Sequence, residues 1–440
     1  MNLFLLFLNI LSIFLLFCFK NNTNNIAISN LWFFSSFNAL LSLYIVNRLF
    51  NLRNFLNPYC FFTLNYFLFT FLGSCIPYMM ETRRNPYDLF FLNNLFFSFH
   101  TLGGLVYYML TNKSDSSSET LLEKINNLIH LFPLKNIKIY KPLLLWGISF
   151  FIVHFVFIAK AIPIFHRDLE DFRVVSKAGA GQILAIGTNI LILGAILYTI
   201  YLLRTSSILK TKSILVYLII AFTLISTGFR QNSFQILVII FIFLQINRSE
   251  FFKFRTYILV LLIGLISVGI TAALRWSGGL SEVAHARLED IIFWTFSRSG
   301  STDWGMDYVF DFFNSSNKLL YGKSYIIDII TILPGYQPNF GLWIKNYLGQ
   351  TWAGGSLMIG DAGIYYINFG FLFVYILAFF NAIFLNLIYN SLIKKITKGI
   401  KYLIALVVVG ITLNGFGDIS GAIYSTGMLL FINYIIFLRG

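Results

Sequence analysis

Arginine and tryptophan crowd into one polar stretch, residues 275–360, of an otherwise apolar chain. It holds Arg275, Arg287 and Arg298, and five of the seven Trp: Trp276, Trp294, Trp304, Trp343 and Trp352. Segment 281–298, SEVAHARLEDIIFWTFSR, reads as a helix with Ser281 as its N-cap. At 100° per residue, Arg287 and Arg298 fall about 20° apart, with Trp294 on the same stripe. Two guanidiniums and an indole on one face suit a pyrophosphate and a sugar ring. The planar fork of Arg holds phosphate oxygens in pairs. The bland alternative is a surface helix whose arginines pair with Glu289 or Asp290.

Arg230 lies in STGFRQNSFQ, between two apolar runs. A charge at that depth is costly and usually has a functional partner. The alternative is an anchor that snorkels to the membrane surface. Its neighbours Ser226, Thr227, Gln231, Asn232 and Ser233 favour a polar pocket. Arg275 follows an apolar run at a similar level, so the two arginines can converge on a lipid-borne diphosphate. Glu282 and His285 are candidate general bases beside the arginine helix. Asp303, Asp307 and Asp311 recur every four residues. Such a stripe is a metal or acceptor site, or more simply a solvated helix face.

The end of the stretch reads ILPGYQPNF, then AGGSLMIGDAGIYYINFGFLF. Pro334 and Pro338 stop a short apolar helix. Gly354 and Gly355 allow a tight return to the membrane. Asp361 stands where the next apolar run begins, a position the helix dipole favours for a carboxylate. Asn368 and Gly370 follow inside the outer half of that run.

The elements that position these residues are membrane spans. Charged residues are 11% of the chain, against about 25% in soluble domains. The fold class expected is therefore an all-α polytopic membrane protein, one integral domain over 1–440. Apolar windows mark about twelve spans. They fall at 2–19, 28–47, 55–78, 89–110, 143–163, 181–203, 213–229, 233–247, 256–274, 361–388, 402–416 and 421–438. The first lacks a basic leader and a cleavage site, so it reads as a retained span. Cys18, Cys60 and Cys75 all sit in apolar segments and read as small buried residues. The five His form no ligand pattern, and neither metal nor cofactor is expected.

Charge sets the orientation. With both termini cytoplasmic, the inner loops carry 18 Lys/Arg and 4 Asp/Glu, and the rest of the chain 14 of each. The whole net charge of +14 then lies on one side, as the positive-inside bias requires. It needs no nucleic acid to explain it. This topology makes 112–142 a cytoplasmic loop, whose LLEKINNLIHLF is expected to lie along the membrane surface. It puts 275–360 outside as a large loop with short helices; in a bacterium that is a periplasmic loop of the inner membrane, or one at the cell exterior. Nucleotide sugars are absent there, so its substrate must arrive already activated on a lipid.

GGSLMIGDAGIYYINFG resembles the segment after the large periplasmic loop of Wzy-type O-antigen polymerases, and TGFR resembles their earlier Gly–x–Arg element. The motif covers about forty residues, the topology most of the chain. Asp361 stands where that family commonly has Glu. The resemblance implies a GT-C-like glycosyltransferase acting on undecaprenyl-diphosphate-linked oligosaccharide repeats. A hydroxyl of one repeat attacks the anomeric carbon of the growing chain with inversion. Arg230, Arg275, Arg287 and Arg298 would stabilise the leaving diphosphate. Asp361, His285 or Glu282 would take the proton. Trp276, Trp294, Asn368, Gly354 and Gly355 would bind substrate, the aromatic residues by holding sugar rings. Membrane lipid is the other expected partner, and the binding of a chain-length regulator stays open. A flippase, with a path lined by Asn93, Asn94, His100 and His154, and an O-antigen ligase are the rivals.

Overall fold

The computed structural model describes residues 2–20, 28–50, 56–67, 85–111, 118–131, 137–162, 181–205, 211–226, 230–247, 301–316, 318–330, 340–350, 357, 359–412 and 422–437. All regular structure among them is helical. The first nine helices are α1 (Asn2–Lys20), α2 (Ile28–Phe50), α3 (Pro58–Asn65), α4 (Pro86–Thr111), α5 (Ser118–Leu131), α6 (Tyr140–Val153), α7 (Gly181–Arg204), α8 (Thr211–Ile225) and α9 (Arg230–Asn247). Then come α10 (Ser301–Ser316), α11 (Lys323–Ile330), α12 (Phe340–Tyr347), α13 (Gly360–Phe369), α14 (Phe371–Lys395), α15 (Ile400–Thr412) and α16 (Met428–Ile436). Starts follow local chemistry. Pro58 and Pro86 occupy first positions, where no amide hydrogen is needed. The Asn57 side chain accepts the Tyr59 amide at 3.0 Å as a cap of α3.

Five described helices are long and apolar enough to cross a membrane: Phe33–Phe50, Tyr87–Thr111, Tyr140–Ile158, Ile183–Arg204 and Phe371–Lys398. Leu3–Cys18, Thr211–Ile225, Ile400–Thr412 and Ser425–Ile436 are apolar but shorter. Large apolar side chains stay exposed along them, including Phe7 and Phe14 on α1, Trp146 and Phe157 on the α6 span, and Phe380 on α14. A face of that kind is stable against lipid and not against water. Buried residues form two adjoining cores. One joins α5–α9 with α15 and α16; the other joins α1–α4 with α10 and α12–α14. Cys60 is buried in the second, whereas Cys18 is exposed on α1. The expected span 256–274 and the second half of 55–78 lie outside the described residues.

Two expectations are corrected. The apolar run 361–388 is not one span. It breaks at Gly370, whose φ of 78° and ψ of −177° no helix can contain. Only α14, after the break, is long enough to cross, and α13 is a separate ten-residue helix. The amphipathic α5 does not spend its apolar face on the membrane surface. Ile125 and Ile129 are fully buried in the first core, against α7, α9 and α15.

Polar side chains inside the bundle serve mainly as interhelical bonds. Asn38 on α2 donates to the Asn94 side chain on α4 at 3.1 Å, and Asn94 donates to Ser35 at 2.7 Å. Ser98 donates to Asn38 at 3.0 Å, and Ser12 of α1 donates to the same oxygen. Tyr66 donates to Asn93 at 3.0 Å. Residues expected to line a transport path thus tie helices together. His100 differs. It is fully buried, its ring 4.9 Å from those of Tyr59 and Phe62, with the Ala378 backbone beside it, so it packs in the core and does not face a path.

Candidate functional site

The helices of the 275–360 stretch sit on one end of the second core. Met306, Val309, Phe310 and Phe313 give α10 a buried face. It crosses α13 so closely that a Cβ on Gly363 would run into the Met306 sulfur. Phe310 packs on Tyr366 at 4.9 Å, and Tyr366 on Phe371 at 4.7 Å. Burial and the charge of Asp88 at the start of α4 push the Tyr366 phenol up to about 12. Two of the three stripe aspartates, Asp307 and Asp311, are not on a solvated face. Asp307 is buried, its Oδ1 accepts the Asn85 amide at 3.1 Å, and the Asn85 side chain donates to Asp311 at 2.9 Å. These bonds moor α10 to the start of α4.

Beside that mooring, α11 and α13 meet. The link is Asn368, fully buried on α13. Its side-chain oxygen accepts the Gly322 amide at 3.0 Å, and its nitrogen donates to Ser324 and to the Ile364 carbonyl. The Leu320 and Tyr321 amides donate to the Ile367 and Asn368 carbonyls, both at 2.9 Å. The turn so held carries positive φ at Tyr321 and at Gly322. Asn368 therefore positions α11, and its amide is committed to the chain.

On α11, Tyr325 lies near enough to two carboxylates to feel their charge. Asp361 lies half-buried in the first turn of α13, and Asp328 is buried one turn along α11. Burial, then the charges of Asp361 and Asp328, push the Tyr325 phenol well above the usual tyrosine value. Its hydroxyl is shielded from solvent and makes no hydrogen bond, while its ring stacks on Phe369. A phenol beside carboxylates keeps its proton and holds a donor in reserve. A group raised in the folded state stabilises fully below its unfolded value and loses that contribution as pH rises toward the folded value. Thermal stability should fall above about pH 10, and Tyr325→Phe should shrink that fall. Identical profiles for the variant and the parent would remove Tyr325 as a contributor.

Asp361, Asn368 and Arg230 are the expected site residues that fall in the described part. Arg230 is the first residue of α9, and its side chain lies outside what is described. Arg275, Trp276, Glu282, His285, Arg287, Trp294, Arg298, Gly354 and Gly355 lie outside the described residues. Trp343 stacks on Tyr347 at 5.3 Å and packs on the second core. Sequence reasoning missed Ser324, Tyr325, Asp328 and the buried Lys345. The spacing of Tyr325 and Asp328 in KSYIIDII, three apart on one helical face, was the usable signal. Among the described residues, no three His, Cys, Asp or Glu side chains gather as metal ligands. Comparison of the chain with protein-family models, with curated proteins and with solved structures gives no match.

Proposed function

We propose that the protein polymerises lipid-diphosphate-linked oligosaccharide repeats at the periplasmic face of a bacterial inner membrane. The observation that supports this reading is a half-buried carboxylate, Asp361, in the first turn of α13, on helices of a stretch that carries no Lys/Arg excess. Asp361 accepts the proton of the attacking sugar hydroxyl. The hydroxyl oxygen bonds to the anomeric carbon as its bond to the diphosphate breaks, inverting that centre. Arg230, Arg275, Arg287 and Arg298 neutralise the departing undecaprenyl diphosphate, and Trp276 and Trp294 stack on sugar rings. Tyr325 keeps its proton and holds an unused donor near that carboxylate. The bonded state of Asn38, Asn93 and Asn94 favours this reading over a flippase.

Arg230→Ala and Arg287→Ala should each abolish polymer growth with normal protein levels in the membrane. Loss of one donor to a developing charge typically costs 10²–10³-fold, roughly, in rate. The check is the glycan ladder of a complemented deletion strain. Parental chain length with normally expressed Arg230→Ala would take that residue out of the mechanism.

A further inference from the structure

At the opposite end of the bundle, α6, α7 and α8 meet in a wall of tyrosines. α6 and α7 run antiparallel in close contact: Gly194 faces Leu144, Gly147 faces Leu191 and Gly187 faces Phe150. That register brings the start of α6 level with the last turns of α7. The Tyr140 ring lies 5.0 Å from both Tyr198 and Tyr201. α8 joins through Tyr217, whose ring is 5.5 Å from Tyr198 and whose hydroxyl shares a 2.7 Å hydrogen bond with Thr199. Tyrosine rings with one wet end collect at the headgroup level of a bilayer.

Arg204 ends α7, one residue short of a full turn past Tyr201. It is half-buried, and its Nη1 is shielded from solvent with no hydrogen-bond partner. The α7 C-terminus favours a cation there, but it leaves that nitrogen unbonded. Lys138 and Lys141 flank the start of α6, and Lys212 lies in the first turn of α8, all three exposed. Among the described residues, none of the four is paired with a carboxylate. Among the described residues, the shielded guanidinium edge at the level of the tyrosine wall has no anionic partner, and three lysines lie at the starts of the neighbouring helices.

We propose that Arg204, with Lys138, Lys141 and Lys212, binds the phosphate of an anionic phospholipid in the leaflet at this end of the bundle. The guanidinium fork holds the phosphate oxygens, and the lysines add longer-range attraction. The acyl chains lie along the exposed apolar face of α8, where Leu215, Leu218 and Phe222 are uncovered. By the positive-inside bias this is the cytoplasmic leaflet. The site is remote from the proposed glycan chemistry and does not depend on it.

The test uses the full chain, purified in detergent and returned to nanodiscs of phosphatidylcholine alone or with phosphatidylglycerol. Phosphatidylglycerol should raise the Tm of the parent protein, and Arg204→Ala should remove that rise. Co-purified phosphatidylglycerol, measured by mass spectrometry, should fall about tenfold in Arg204→Ala, as loss of a charge-assisted bond implies. Arg204→Lys, which keeps the charge and loses the fork, should retain an intermediate amount and serves if Arg204→Ala does not fold. Equal stabilisation by both lipids, or parental phosphatidylglycerol retention in Arg204→Ala and Arg204→Lys, would overturn the proposal. So would an equal Tm rise from inorganic phosphate in detergent, which would assign the site to a soluble anion.

Discussion

Asp361→Asn should reduce repeat-unit polymerisation by about 10²–10⁴-fold, the usual contribution of a positioned general base. The protein should still reach the membrane at its normal level. As a first-turn helix charge alone, Asp361 would contribute only about 0.3–1 kcal/mol, too little to lose the fold. The two roles therefore separate cleanly. A structural role predicts a small Tm shift and a near-normal ladder; a catalytic role predicts a normal Tm and no ladder. Asp361→Glu keeps the carboxylate that the resembled polymerases commonly carry, and it should restore part of the polymer. A full-length ladder in Asp361→Asn would move the base to His285 or Glu282.

Gly103→Val should be the most damaging single change in the described bundle. A Cβ on Gly103 of α4 would run into the carbonyl oxygen of Phe379 on α14, with the Ala382 methyl also 3.1 Å away. Backbone cannot rotate aside as a side chain can, so the two helices must separate. Overpacking alone costs roughly 1–3 kcal/mol. α14 follows directly on α13, across the break at Gly370, and α13 carries Asp361 and Asn368. Separation of α4 from α14 should thus lower Tm and activity together. Gly427→Ala is the control, because a Cβ there meets nothing within 4 Å. It should leave Tm unchanged or slightly raised. Equal Tm values for Gly103→Val and the parent would mean that α4 and α14 do not cross as described.

Hydropathy alone marks the α2, α4, α6 and α7 spans, because each keeps an apolar stretch of membrane-crossing length. It failed at Gly370 for a physical reason. A window average registers how apolar 361–388 is, and cannot register that one residue within it has left-handed φ. The moment of α5 was legible, and its partner was not: burying Ile125 and Ile129 in the bundle answers the same pattern as lying on lipid. The stripe of Asp303, Asp307 and Asp311 is legible as spacing alone. The partner of Asp307 and Asp311, Asn85, stands 222 residues from Asp307 in sequence and cannot be read locally. Asn368 reads from sequence as a substrate ligand, yet the fold commits its amide to Gly322, Ser324 and Ile364. Asp361 is legible because a carboxylate opening an apolar run is conspicuous. Tyr325 is not, because a tyrosine in a short apolar helix is ordinary until two carboxylates lie near it.

The measurement to make first is the surface-glycan ladder of a strain lacking this protein, resolved on a gel. Polymerase function predicts lipid-linked core capped with a single repeat and no longer rungs, since export and ligation continue. Loss of even the single repeat would contradict it, assigning the protein to transport or ligation and withdrawing the catalytic role of Asp361.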